Sequence, residues 1–485
     1  MKKNLYITYT LVAGLAFSSC KKSYLDTLPA RSIESNESFT SPSRVNAAMI
    51  GLYDLMQQNQ FTNHIMLTTD VKGGDLLVVS SGNYNRFVTE YQFTEIANGG
   101  TGALSFVFWK RAFEMISNCN QAISKLPTSP VADDVKNDYM AEARVLRAWA
   151  NHQLVRLYAQ PYAVNPDGIG IPKVDKPLKK DDPTPARSSV KDIYAFMLED
   201  LKFAEQNLSA KRSNSYRITI NAVYALQARL YLDMGKWTEA SSYAKKARAG
   251  FSLEPGATLL KGFVDKTPEW IWGLNYRTDD NTGFLMLASF QEPYNLGYST
   301  FRASKSFLTL FGDDDIRKKQ FFVNEAKVKS GKAEDEALQR DKIMFSRDGY
   351  LMNKFYFRKT LDLDLPLIRS AEMYLIEAEA EAELNNTDAA QTALFEVQRR
   401  AIPTAVKSIN TGDVLKTEIV NERRKELYGE GFRFFDILRR KETLVRAAAD
   451  HWKPLTQEPG NNRNVLPIPQ RELDISHLEQ NKGYN

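Results

Sequence analysis

The strongest constraint on this chain is a spacing. Between residues 219 and 250, Ala228, Tyr231, Gly235, Trp237, Ala240 and Ala247 recur at the interval of two short helices joined by a tight turn. Small residues let such helices approach, and Tyr and Trp fill the groove between them. Residues 366–402 echo the pattern with Ala378, Asn385, Ala390 and Val397 in the corresponding places. Residues 105–158 offer a third pair and 413–446 a fourth. A helix pair of this kind cannot bury its apolar face alone, so the pairs are expected to stack into one superhelix.

The interval is that of tetratricopeptide pairs, but the pairs are degenerate and widely separated. The expected fold is therefore mainly α: a tetratricopeptide-like superhelical scaffold with irregular, loop-rich insertions and a few short strands. Residues 43–58 add an amphipathic helix through Val45, Met49, Leu52 and Met56. Residues 61–102 read as irregular, with a turn-rich loop from Thr69 to Asp75. Ser188 or Ser189 is placed to cap a helix starting near Val190. Residues 251–360 break the helical rhythm, apart from a strand-like Glu269-Trp-Ile-Trp-Gly-Leu-Asn-Tyr276, whose Trp270 and Trp272 read as core.

Composition narrows the function. The chain has 485 residues, 43% hydrophobic and 25% charged, as a globular protein should. Its net charge is only +5, with Lys2 and Lys3 in the leader, so there is no electrostatic case for nucleic acid. His64, His152, His451 and His477 stand at no metal-binding spacing. There is no His-Glu-x-x-His, Cys-x-x-Cys or Gly-x-Ser-x-Gly. No metal, cofactor or nucleophile site is expected. A catalytic carboxylate pair leaves no such trace, so a surface hydrolase stays open as a lesser alternative.

The N-terminus gives an address. Lys2 and Lys3 precede an apolar run of about a dozen residues, too short to span ~30 Å of hydrocarbon. Ser18-Ser19-Cys20 follows, the pattern of a bacterial lipoprotein signal with acylation of Cys20. An ordinary secretory signal with an incidental cysteine is the alternative. With Cys20 acylated, only Cys119 remains, so no internal disulfide can form. Cys119 lies in a helical run and reads as a small buried residue.

The densest stretch is 421–440, Asn-Glu-Arg-Arg-Lys-Glu-Leu-Tyr-Gly-Glu-Gly-Phe-Arg-Phe-Phe-Asp-Ile-Leu-Arg-Arg. Ile419, Val420 and Leu427 give one helix an apolar stripe. Gly429 and Gly431 suit positive φ at its end, and Phe432, Phe435 and Leu438 mark a second helix. The interspersed charges read as solvated or paired residues of a tight helical corner. This stretch resembles the ERR-x-EL-x-x-EG-x-R-x-x-D-L-x-R segment of the SusD/RagB family. Ala141-Glu-Ala-Arg-Val-Leu-Arg-Ala148, Asp315-Ile-Arg317, 366–380, Leu466-Pro-Ile-Pro469 and 479–484 match further family motifs in order.

The resemblance implies a surface lipoprotein that binds a nutrient, most simply an oligosaccharide, without altering it. It implies transfer to a TonB-dependent, SusC-like outer-membrane transporter, and anchoring of the chain in that membrane. A RagB-like peptide-capturing protein is the main alternative, and a tetratricopeptide-type adaptor a lesser one. The resulting layout is a signal (1–19), a tether (20–35) and one SusD-like domain (36–485). In that domain the scaffold falls at 36–250 and 361–446, and the insert at 251–360. Family members place the ligand on irregular segments outside the repeats. Two segments mix aromatics with amides and Arg, and they give the candidates Asn83, Tyr84, Arg86, Tyr91, Tyr294, Tyr298 and Arg302. The same tyrosines could instead pack these loops down. Growth on radiolabelled palmitate is expected to label the wild-type chain and leave Cys20→Ser unlabelled.

Overall fold

The computed structural model describes residues 37–80, 84–179, 181–292, 297–321 and 350–484. The expected signal, tether and Cys20 lie outside the described residues, as do Asn83 and Tyr294. The helices arise where the spacing places them. Helix α1 (Pro42–Gln57) starts at Ser41, whose Oγ accepts the Arg44 N–H at 3.4 Å, with Pro42 in its first turn. Helices α2 (Thr62–Lys72), α3 (Leu104–Lys125) and α4 (Asp133–Tyr158) follow. Ser189, the second of the two expected caps, accepts the Asp192 N–H at the head of α5 (Val190–Asn207).

The pair that carries the repeat signal is α6 (Ile220–Asp233) and α7 (Trp237–Arg248). Gly235 turns between them with φ +67°. Ala240, Ala244 and Ala247 are fully buried, and Tyr231 stacks on Tyr243 at 5.5 Å. The second such pair is α8 (Ser370–Glu383) and α9 (Thr387–Ala401). Asn385 takes the left-handed turn there with φ 62°, as asparagine can at small cost. Although residues 249–369 separate them, α7 packs directly on α8. Arg248 pairs with Glu377 at 2.9 Å, and Ser241 and Lys245 bond Glu381. The helical stack therefore runs continuously while the chain between its pairs loops out. Helices α10 (Gly412–Glu426) and α11 (Arg433–Arg439) complete it.

Among the described residues, the strands form four antiparallel two-stranded pairs. They are β1 (Leu76–Val78) with β5 (Phe301–Ala303), β2 (Ile169–Pro172) with β3 (Arg187–Ser189), β4 (Trp270–Leu274) with β6 (Leu365–Arg369), and β7 (Leu444–Arg446) with β8 (Leu455–Gln457). The pairing β4–β6 returns the chain to the stack at the head of α8. Trp270 and Trp272 are both fully buried, in keeping with core. Cys119 is buried too, and burial pushes its thiol up to about 12, so it is unreactive.

Three expectations need correction. Residues 62–72 are helix rather than loop. Every residue of α2 is buried, so it shows no amphipathic period. Some of its polar groups find tertiary partners: Thr69 Oγ1 donates to the Gly431 carbonyl at 2.9 Å, and Asp70 accepts the Gly431 N–H at 3.0 Å. The fourth pair is truncated, because α11 ends after two turns. Lys441 adopts φ 56°, and the chain continues as β7. Of the two readings of the charges of 421–440, paired holds and solvated does not, because they are largely not at the surface. Glu422, Arg423, Glu426, Glu430, Asp436 and Arg439 are all buried.

These charges join a larger network. Arg369 reaches Glu269 at 2.5 Å, Glu426 at 3.0 Å and Glu430 at 2.6 Å. Lys354 also pairs with Glu430, and Arg400 with both Glu269 and Glu426. Arg317 bridges Asp315, Glu422 and Glu426, and Lys425 bonds Glu422 at 2.7 Å. Arg317, Lys354, Arg369, Arg400 and Lys425 thus face five carboxylates, and the formal charge cancels. Burial alone would raise the Glu426 carboxyl, but Arg400, Arg369, Arg317 and Lys354 hold it well below the usual range.

Two expectations follow for stability. Arg369→Met leaves Glu269, Glu426 and Glu430 without a shared cation, and is expected to cost about 3–5 kcal/mol in denaturant titrations. The depressed carboxyls, Glu426 and Glu379 among them, stabilise the fold fully above their unfolded pKa of about 4.3. That contribution is lost as pH falls below it, so midpoints should drop steeply below about pH 4.

Candidate functional site

The β1–β5 pair decides where the candidate residues go. Val78 faces Phe301, and Val79 N–H donates to Thr300 at 3.0 Å. In an antiparallel pair, the chain leaving one strand and the chain entering the other emerge from the same end. The two segments singled out in the sequence therefore meet, although some two hundred positions separate them.

At that end Tyr84 is 83% exposed, and its ring stands edge-on to Tyr298 at 6.1 Å. The Arg86 guanidinium lies 4.9 Å over the Tyr298 ring. A third loop adds Phe284, 56% exposed and 6.5 Å from Tyr298. Tyr298 is half-buried and stacks on Phe290 at 5.3 Å. Phe290 in turn packs edge-on against Phe87 and His64 in the core. The platform is thus rooted in packed rings rather than carried on a free loop.

Beside Tyr84 opens a cleft of about 450 Å³, walled by Gln60, Asn85, Arg86, Thr89, Glu90, Thr94 and Ile96 among others. Its walls are strained. Of ten described non-glycine residues with positive φ, six lie in or next to the cleft and platform: Gln60, Tyr84, Asn85, Phe87, Phe93 and Ser299. Each left-handed turn costs on the order of 1 kcal/mol, and such strain gathers at ligand sites. Lys72 pairs with Glu95 at 2.5 Å in the depth of the cleft wall. Burial holds the His64 imidazole down at about 3, so it is neutral.

Of the sequence candidates, Tyr84, Arg86 and Tyr298 come together, while Asn83 and Tyr294 lie outside the described residues. Tyr91 and Arg302 are placed differently: both are fully buried. Tyr91 bonds His451 Nδ1 at 2.8 Å beneath the Arg446 guanidinium. Arg302 donates to the Ser299 carbonyl at 3.4 Å. They support the platform from below and present no face to a ligand. Arg302 sits inside β5, where both faces are covered: Phe301, Arg302 and Ala303 are all buried. Phe284, Gln60 and Glu90 escaped the sequence reading. The cluster Asp279-Asp280-Asn281-Thr282-Gly283 before Phe284 marks an aromatic at a loop tip and was the available signal.

Removing an exposed ring and removing a buried one should separate cleanly. Tyr84→Ala is expected to leave the melting temperature within about 1 °C, whereas Tyr91→Ala should lower stability by about 3–5 kcal/mol. Calorimetry on the two variants checks this.

Known proteins resemble this chain in sequence and in fold. Residues 344–484 match the profile of the SusD family, and residues 23–232 match a profile described as "Starch-binding associating with outer membrane". A SusD-like protein of Bacteroides ovatus is 25% identical over 245 residues, which is 50% of this chain and only 41% of that one. SusD-like protein P38 of Formosa agariphila is 22% identical across 99% of both chains. A SusD superfamily protein of Bacteroides thetaiotaomicron superposes with a TM-score of 0.79, at 22% identity over 91% of this chain and 100% of that one. A structure described as a laminarin-binding SusD-like protein gives 0.74, at 20% identity over 92% and 100%. With profiles of one family matching both ends of the chain and the same helical frame throughout, this chain belongs to the SusD/RagB family.

Proposed function

We propose that this chain captures an oligosaccharide at the outer membrane and passes it, unaltered, to a SusC-like TonB-dependent transporter. The observation that carries the reading is the meeting of separate loops at one aromatic platform beside a cleft. Tyr84, Phe284 and Tyr298 offer ring faces and edges to the apolar faces of sugars. Gln60, Asn85, Thr89 and Arg86 supply groups that bond hydroxyls. The starch-binding description of the matched profile and the laminarin-binding neighbour support a glucan as the ligand class. The same profile's outer-membrane description and Ser18-Ser19-Cys20 support a lipid anchor.

The adaptor alternative expects aromatics in the concave groove of the helix stack. Among the described residues, the exposed aromatics are Tyr84, Phe284 and Trp452, all on loops off that stack. This favours capture over adaptor. A surface site with micromolar to millimolar affinity needs only ~4–8 kcal/mol, within reach of two or three rings and several hydrogen bonds.

Titration calorimetry with laminarin and soluble starch tests the reading. Tyr84→Ala and Phe284→Ala are each expected to weaken binding by about 5–20-fold, roughly 1–2 kcal/mol, at unchanged melting temperature. Preferential binding of a peptide library, with no affinity for either glucan, would turn the assignment to peptide capture. Pull-down from solubilised outer membranes should recover a barrel transporter.

A further inference from the structure

Beneath the platform, one cleft residue is not explained by packing. Glu90 lies in the helical turn Val88–Gln92, which is bounded by left-handed Phe87 and Phe93. It lines the cleft and is only 7% exposed. Its neighbour Glu95 has Lys72 as a partner at 2.5 Å. Among the described residues, the Glu90 carboxyl has no hydrogen bond or ion pair to another residue; only its own backbone N–H bonds it. A nine-tenths buried carboxyl without a partner is costly, and such groups are retained where a ligand completes them.

We propose that the Glu90 carboxyl is the group on which this cleft recognises an uncharged glycan, by exchanging hydrogen bonds with neighbouring hydroxyls of one sugar ring. The inference rests on the glycan reading above and deepens it. A protonated carboxyl both donates and accepts, as does each sugar hydroxyl, so the two are complementary. Burial, and then the facing Glu95, push the Glu90 carboxyl up to about 7, against its own N–H and Lys72. A neutral ligand that excludes the remaining water favours the protonated form further. The charges around it are Lys72 from α2, Glu95 on the next loop, Arg446 from β7 and, in the wall, Arg86 and His64. Lys72 and Glu95 hold each other, and burial keeps His64 neutral down to about 3. Glu90 is then a group here that changes charge between pH 6 and 8. An anionic glycan meets the ionised carboxylate there as a like charge and is rejected.

The sign follows from linkage. If the protonated form binds, affinity is greatest below pH 7 and declines above it, by about tenfold between pH 6 and pH 8. The experiment is calorimetry of the purified full chain with laminarin and soluble starch, and with polygalacturonate as an anionic probe, at pH 6 and 8. Glu90→Gln mimics the protonated group. It is expected to match the pH 6 wild-type affinity within about twofold and to show no pH dependence. Glu90→Leu is expected to lose about tenfold at pH 6 with an unchanged melting temperature. Polygalacturonate is expected to bind at least tenfold more weakly than laminarin at pH 8. Wild-type affinity that is flat from pH 6 to 8, or a Glu90→Leu variant that binds as wild type, overturns the role of Glu90 and leaves the glycan reading standing. Absence of wild-type binding to laminarin and starch at either pH overturns the glycan reading itself.

Discussion

The fold depends on ion pairs that have no access to water. Arg369 sits at the junction of β6 and α8, and its three carboxylate partners come from the turn just before β4, the end of α10 and the turn after it. A lone buried charge costs several kcal/mol, so each member requires the others to be in place. This makes the network a registration device. Glu269, Asp315, Arg317 and Lys354 belong to the segment that loops out of the helical stack, and they fasten that segment back onto α9, α10 and the turn after α10. Apolar packing would hold the segment equally well in several settings, but ten charges in mutual contact accept one.

From this clamp the geometry of the site follows. The looped-out segment carries Phe284, Phe290 and Tyr298, and β5 at its middle pairs with β1. Holding the segment in register on one side fixes the strand pair on the other, and with it the position of Tyr298 against Tyr84. The glycine turns serve the same end. A Cβ on Gly431 would stand 2.7 Å from the Met66 backbone, so this close approach of the corner to α2 admits no other residue. Through that contact, α2 brings its C-terminal Lys72 to the cleft wall.

The sequence was most legible where a periodic pattern met a partly exposed helix. The alanines of 228–247 announced α6 and α7 because one face of each is buried and the other is not. Helix α2 was illegible for the opposite reason: buried on all sides, it keeps Thr, Asn, His and Asp inside and shows no period. The charges of 421–440 gave the right corner and the wrong environment, since an Arg–Glu pair is spelled identically in water and in a core. Among the candidate ligand residues, composition marked two loops that meet at one platform. It could not separate Tyr84, which faces out, from Tyr91, whose hydroxyl is bonded to His451, because that depends on partners 360 positions away. Glu90 had no signature at all, since an unpaired carboxyl differs from a paired one only through its neighbours.

The stacking of Tyr298 on Phe290, and the edge-on packing of Phe290 against Phe87, has a kinetic corollary. A receptor whose rings stand ready before the guest arrives spends little entropy on ordering itself. With the rings already set, modest contact area would mean a short residence time, the behaviour that the proposed transfer to a transporter would call for.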